Sequence, residues 1–134
     1  MRNALDASSV LAFLFDEPGA NVVKGFLDDG SALSAVNWAE VLSKLAERGE
    51  DPEQVTERLI EQGVLGVSLT IVPLDEVQAR QIARLRLVTR ATGLSLGDRA
   101  CLALAHVVGV PAVTADRAWA TLGSVGVPNL ILIR

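Results

Sequence analysis

Cysteine is almost absent from this chain of 134 residues, and lysine and histidine are scarce. The single cysteine, Cys101, excludes an internal disulfide framework and fits a reducing compartment. One histidine, His106, leaves no imidazole pair for a transition-metal site. No linker, internal repeat or low-complexity tract interrupts the sequence. With half of its residues apolar, disorder is excluded and one domain with a single sizeable core is expected. Long apolar runs are missing too. The richest, Cys101 to Val113, is broken by His106, Gly109 and Pro111 and falls short of the roughly 18 residues of a membrane span. The first residues do not read as a secretory leader, because Asp6 and Asp16 bracket a short apolar run without a suitable basic flank. A cytoplasmic domain with no membrane association is expected.

A basic surplus is also lacking. Sixteen acids face twelve bases, for a net charge of −4. A protein that held nucleic acid mainly by neutralising phosphates would be basic. If this chain handles nucleic acid, something must offset its own acids, and a divalent cation is the obvious candidate. Ten of the twelve bases are arginine, which favours bidentate contacts over diffuse charge.

What is present is an alternation of short β-prone runs with helical segments. Strands are predicted at Asn3–Asp6, Ser31–Leu33, Ser68–Leu74, Ala112–Thr114 and Asn129–Ile133. Helices are predicted at Ser8–Phe15, Ala20–Leu27, Ala35–Arg48, Pro52–Gln62, Asp75–Thr89, Leu96–Val108 and Arg117–Leu122. Ser34 sits where a helix cap belongs, Pro52 occupies a first helical position, and Ser95-Leu96-Gly97-Asp98 has the form of a capping box. Strands joined by helical crossovers imply a three-layer α/β/α domain with a central parallel sheet of about five strands, covered on both faces.

In such a sheet, ligands bind beyond the carboxyl ends of the strands. Asp6 ends the first strand and Asp116 follows the fourth, so both map to that edge, although an Asp before a helix also serves as a cap. Glu40 lies on the helix after the second strand. At about 100° per residue, Val36, Trp38, Ala39, Val41, Leu42 and Leu45 would cover the apolar side, leaving Asn37, Glu40 and Lys44 as a polar stripe. The plain alternative is an exposed Glu40–Lys44 pair. Asp98 is expected between Leu102 and Ala105 on an otherwise apolar side, where a carboxylate must be paired, capped or bound to a metal. Packed together without a cation, Asp6, Glu40, Asp98 and Asp116 would repel and raise one another's pKa values. The set offers oxygens, no nearby cysteine and no histidine pair, so Mg²⁺, with Mn²⁺ as a substitute, fits better than Zn²⁺. Ser8, Asn37 and Thr114 are neutral groups able to orient these acids.

Four segments carry a family resemblance: Leu5-Asp6-Ala7-Ser8; Ser34-Ala35-Val36-Asn37-Trp38-Ala39-Glu40-Val41; Leu94-Ser95-Leu96-Gly97-Asp98-Arg99-Ala100; and Thr114-Ala115-Asp116-Arg117-Ala118-Trp119. In this order and spacing the chain resembles the PIN domains, and most closely the VapC-type toxins of toxin–antitoxin pairs. The resemblance implies a metal-dependent endoribonuclease with Asp6, Glu40, Asp98 and Asp116 as its acidic site. It also implies a homodimer inhibited by a small cognate antitoxin. Cleavage assisted by Mg²⁺ is expected to leave 5′-phosphate and 3′-hydroxyl ends, with Asp6 and Asp98 as direct ligands and Glu40 and Asp116 acting partly through water. Arg99 and Arg117 each follow a site acid and are candidate contacts to RNA phosphates. Arg80, Arg84, Arg86 and Arg90 form two stripes beside an apolar face of Val77, Leu85 and Val88, either solvated or facing RNA or antitoxin. Trp38 and Trp119 are expected in the core, with stacking on a base as the alternative. The apolar half of the composition also suggests a homodimer and a groove for an amphipathic antitoxin helix.

Receiver-like and phosphatase-like domains also collect carboxylates at strand ends. The first lacks its late lysine here, since only Lys24 and Lys44 are present. The second lacks a second aspartate, because Ser8 stands two positions after Asp6. A PIN-like interaction module that has lost its chemistry is the remaining alternative.

Overall fold

A computed structural model describes residues 1–123 and 126–134. The elements run β1 (Ala4–Leu5), α1 (Ala7–Leu14), α2 (Ala20–Asp29), β2 (Ser31–Ser34), α3 (Ala35–Glu47), α4 (Pro52–Glu61), β3 (Leu69–Val72), α5 (Glu76–Val88), α6 (Leu96–Val108), β4 (Ala112–Thr114), a 3₁₀ turn (Arg117–Thr121) and β5 (Leu130–Leu132). The expected order therefore holds. The final helical segment is a 3₁₀ turn rather than an α-helix, and the first, third and last strands are shorter than predicted, because strand ends release their flanking residues to caps and loops.

The five strands form one parallel sheet in the order β3-β2-β1-β4-β5. Its two faces follow from side-chain alternation along the strands. On one face Leu5, Leu33 and Val113 lie in register and fully buried. They pack against Val10 of α1, Val23 and Leu27 of α2, Val41 and Leu45 of α3, and Val55 and Leu59 of α4. On the other face the same register gives a row of three alanines, Ala4, Ala32 and Ala112. Facing that row, α6 buries Ala100, Cys101, Ala103 and Ala105 together with Leu102 and Leu104, and α5 adds Ile82 and Leu85. Small residues on both sides of this interface permit close approach of helix and sheet, and each fully buried leucine contributes about 1.5–3 kcal/mol. The three-layer α/β/α arrangement expected from the sequence is the arrangement found, with six α-helices among the described residues.

The buried face of α5 departs from expectation. Gln78, Gln81, Ile82 and Leu85 are buried, whereas Val77 and Val88 are half exposed. Gln78 tolerates burial because its amide nitrogen, Nε2, donates to the Pro73 carbonyl at 3.1 Å. α5 packs on α6 through Ile82 and Leu85, and this sets its rotation regardless of where valines fall.

Strand order also fixes where polar chemistry can collect. The chain moves from β1 outward through β2 to β3, then returns to the opposite side of β1 with β4. Order reverses around β1, and the crevice beyond the carboxyl ends of the strands is the usual ligand position in such a sheet.

Candidate active site

Asp6 stands at that crevice. Its backbone N–H continues the β1–β4 ladder by donating to the Val113 carbonyl at 3.0 Å, and its side chain caps α1 by accepting from the Ser9 N–H at 2.8 Å. Capping does not exhaust the carboxylate. Ser8 Oγ donates to it at 2.8 and 2.9 Å, and Thr114 Oγ1 donates to Oδ2 at 2.5 Å. The residue is only 4% exposed. Burial pushes its pKa above the ordinary carboxylate value, while the donors Thr114, Ser9 and Ser8 pull it back.

Thr114 connects this group to Asp116. Its hydroxyl oxygen accepts the Asp116 N–H at 3.0 Å while donating to Asp6. Ser8 Oγ likewise accepts the Ala115 N–H at 3.0 Å. Asp116 is exposed and caps the 3₁₀ turn through the Ala118 N–H at 2.9 Å.

Glu40 and Asp98 approach from the helices. α3 is capped by Ser34, whose Oγ accepts from Val36 N–H at 3.2 Å. The helix turns differently from the sequence reading. Asn37 belongs to its buried face with Val41 and Leu45, not to a polar stripe, and Ala39 is exposed. Asn37 can be buried because Nδ2 donates to the Gly97 carbonyl at 2.9 Å and to Glu40 Oε2 at 3.2 Å. No Glu40–Lys44 pair forms; Lys44 lies 3.9 Å from Glu47 instead. Glu40 has its pKa raised, first by partial burial and then by repulsion from Asp98 and Asp6, against the lowering effect of Asn37. The capping box at α6 is present: the Asp98 N–H donates to Ser95 Oγ, and Asp98 Oδ2 accepts the Ser95 N–H, both at 3.1 Å.

A cysteine does lie near this set, contrary to the sequence reading. Cys101 is fully buried one helical turn after Asp98. Burial pushes its thiol pKa well up, and Asp6, Asp98 and Glu40 all add to the rise. The i,i+3 spacing from Asp98 was the available signal for this proximity. That one buried thiol lies within electrostatic reach of all three acids marks their convergence from three separate elements.

As the side chains stand, no three His, Cys, Asp or Glu residues among the described residues close on a single point as a metal cage would. In chemistry the donors nevertheless suit a hard dication: carboxylate oxygens from four segments of the chain, with a further buried, unpartnered oxygen, Oδ1, on Asn37, whose amide nitrogen reaches Glu40.

The two candidate arginines differ. Arg117 is exposed at the start of the 3₁₀ turn. Arg99 is half-buried, and its Nη1 donates to the Ile82 carbonyl at 3.0 Å, joining α6 to α5. On α5, Arg80 pairs with Glu76 at 3.0 Å and Arg84 reaches Gln81. Trp119 is fully buried and therefore unavailable to a base, and Trp38 is partly buried against the core.

Residues 4–124 match the PIN domain family, and the chain belongs to it. Solved structures share the fold. A toxin–antitoxin complex from Klebsiella pneumoniae is 20% identical, with 98% of each chain covered and a TM-score of 0.68. FitAcB from Neisseria gonorrhoeae is 21% identical over 98% of this chain and 97% of that one, with a TM-score of 0.72. VapC20 from Mycobacterium tuberculosis, described as a sarcin-ricin loop cleaving toxin, is 16% identical over 94% and 98%, with a TM-score of 0.68. A search of curated proteins finds no match.

Proposed function

We propose that this PIN domain is the toxin of a type II toxin–antitoxin pair and acts as a metal-dependent endoribonuclease of the VapC type. The observation that carries the reading is the convergence of Asp6, Glu40 and Asp98 at the carboxyl edge of the sheet, where burial first and then the charges of Asp98 and Asp6 raise the Glu40 pKa, with Asp116 tied to Asp6 through Thr114. An uncompensated acidic cluster of this kind is costly, and a cation relieves it. Mg²⁺, or Mn²⁺ in its place, would be held by Asp6 and Asp98 with Glu40 and Asp116 at the flanks, and when bound would polarise a phosphodiester oxygen and acidify water.

The chain's own residues have separable tasks. Ser8, Ser9 and Thr114 fix the Asp6 carboxylate and pull its pKa down against the rise that burial causes. Asn37 holds Glu40. Arg117, exposed next to Asp116, is available to a flanking phosphate of single-stranded RNA.

A cognate antitoxin is supported by the kind of assembly in which related folds are found, including the Klebsiella complex. It is also supported by a groove of about 520 Å³ between α1 and α3, whose apolar lining of Ala7, Leu11, Val36 and Ala39 is flanked by Glu40, Ser43, Lys44 and Glu47. Leu74, with Val77, Leu87 and Val88 of α5, is exposed, which supports pairing of two copies.

The test is incubation of purified protein with cellular RNA in Mg²⁺, with mapping of the cut ends. Ends carrying 5′-phosphate and 3′-hydroxyl are expected from wild type, and none from Asp98→Asn or in excess chelator. Undiminished cutting by Asp98→Asn overturns the proposal. Absence of both cutting and Mn²⁺ binding in wild type favours the silent interaction module.

A further inference from the structure

The Glu40 carboxylate leans across the first turn of α6 rather than standing straight into solvent. A Cβ built on Gly97 would overlap Glu40 Oε1 and stand 2.6 Å from Glu40 Cδ and 2.9 Å from Oε2. Glu40 therefore occupies the space that any other residue at position 97 would fill.

The backbone does not demand glycine there. Gly97 is the second residue of α6, fully within the helix, and has no left-handed φ. Glycine at such a position weakens a helix relative to alanine. The conformational cost has no local return, so the return lies in what the missing side chain admits, which is the glutamate of another element.

The second support comes from the opposite direction. Asn37, only 1% exposed, uses one amide nitrogen for two acceptors: the Gly97 carbonyl at 2.9 Å and Glu40 Oε2 at 3.2 Å. It fastens the α6 backbone at the glycine and the carboxylate that rests upon it. Together these contacts set Glu40 against the first turn of α6, where Asp98 is the residue after the glycine.

We propose that Gly97 and Asn37 are positioning residues for Glu40: Gly97 supplies the vacancy into which the carboxylate folds, and Asn37 holds it there. The consequence for RNA cleavage rests on the ribonuclease reading above, whereas the placement of Glu40 does not. A methyl group at position 97 turns the carboxylate out while leaving α6 intact.

The first measurement needs neither RNA nor metal. In the NMR spectrum of the whole chain, the side-chain NH₂ resonances of Asn37 report its two bonds. Glu40→Ala removes one acceptor and defines the shift for its loss. Gly97→Ala is expected to reproduce that shift, with a melting temperature equal to or above wild type because alanine favours the helix. Unmoved Asn37 resonances in Gly97→Ala overturn the proposal. The second measurement is cleavage in Mg²⁺, where Gly97→Ala is expected to lose at least tenfold in rate. Wild-type cleavage by a folded Gly97→Ala also overturns it. An inactive wild type whose Asn37 resonances behave as expected sinks the ribonuclease reading and leaves the positioning of Glu40 standing. Should Gly97→Ala fail to fold, Asn37→Ala removes the other support without adding an atom, and full cleavage by that variant overturns the proposal.

Discussion

Thr114 Oγ1 donates to Asp6 Oδ2 at 2.5 Å across 108 residues of sequence, and the same hydroxyl accepts the Asp116 N–H at 3.0 Å. One oxygen thus orients two acids of the site. Thr114→Val keeps the shape of the side chain and removes both bonds. Left unpaired, buried groups of this kind cost about 1–3 kcal/mol each, so a lower melting temperature is expected. The lost donor favoured the ionised form of Asp6, and its removal raises that pKa further. The acid limb of the pH–rate profile for cleavage should therefore move to higher pH, and Thr114→Ser should restore it.

Asp6 itself is held against its ionisation. Its pKa is raised by burial, so the folded state binds a proton more readily than the unfolded chain does. The resulting stability is present at low pH, below the unfolded value of 3.8, and is lost as pH rises through the folded pKa. In the metal-free protein, burial of Asp6 therefore costs stability as pH rises. Asp6→Asn should therefore melt higher than wild type in chelator at pH 7, with a gain of order 1 kcal/mol typical of relieved active-site strain. This gain should shrink toward pH 4. Addition of Mn²⁺ should raise the wild-type melting temperature and leave that of Asp6→Asn unchanged, and cleavage by the variant should be abolished. Differential scanning calorimetry across pH, with and without Mn²⁺, reads all of these outcomes except cleavage, for which gel assay suffices.

Arg99 and Arg117 are neighbours of site acids in sequence but not equivalents in space. Arg117→Ala should leave the unfolding free energy within about 0.5 kcal/mol of wild type, as for other exposed substitutions. Its binding to single-stranded RNA, measured on the Asp98→Asn background in chelator, should show a salt slope reduced by about 0.7. Arg99→Ala should instead lower stability, because it removes the side-chain hydrogen bond to the Ile82 carbonyl that joins α6 to α5. Equal melting temperatures for the two variants would contradict this division.

Cys101 lies fully buried, and Asp6, Asp98 and Glu40 raise the pKa of its thiol further. The thiolate is the reactive form. A disulfide reagent at pH 8 should thus leave the folded protein unlabelled over the time in which a free cysteine reacts completely, and should label one thiol per chain in denaturant. Rapid labelling of folded protein would show that α6 opens without global unfolding.

Most of the architecture was readable along the chain because its signals are short-ranged. Ser34, Asp51, Asp75 and Ser95 each cap a helix two or three residues ahead. Alternation in the strands separates Leu5, Leu33 and Val113 from Ala4, Ala32 and Ala112 with no knowledge of what they face. The places of Asp6 and Asp116 after parallel strands and of Asp98 in the first turn of α6 followed from the same signals.

Rotation of the helices about their own axes was not readable in that way. Apolar periodicity pointed Val77 and Val88 inward and Asn37 outward, and all three lie the other way. A glutamine or asparagine enters a core when a distant carbonyl awaits its amide, as Pro73 does for Gln78 and Gly97, 60 residues away, does for Asn37. Arg99 turned from the site to Ile82 for a similar reason. The residue sequence settled which groups exist and which local turns they make, since those depend on bonds within a few positions. Which acid rests on which helix, and that Glu40 needs a bare Cα at position 97, was settled only when α3 packed on α6, because steric vacancy and burial are properties of neighbouring elements and not of any one segment.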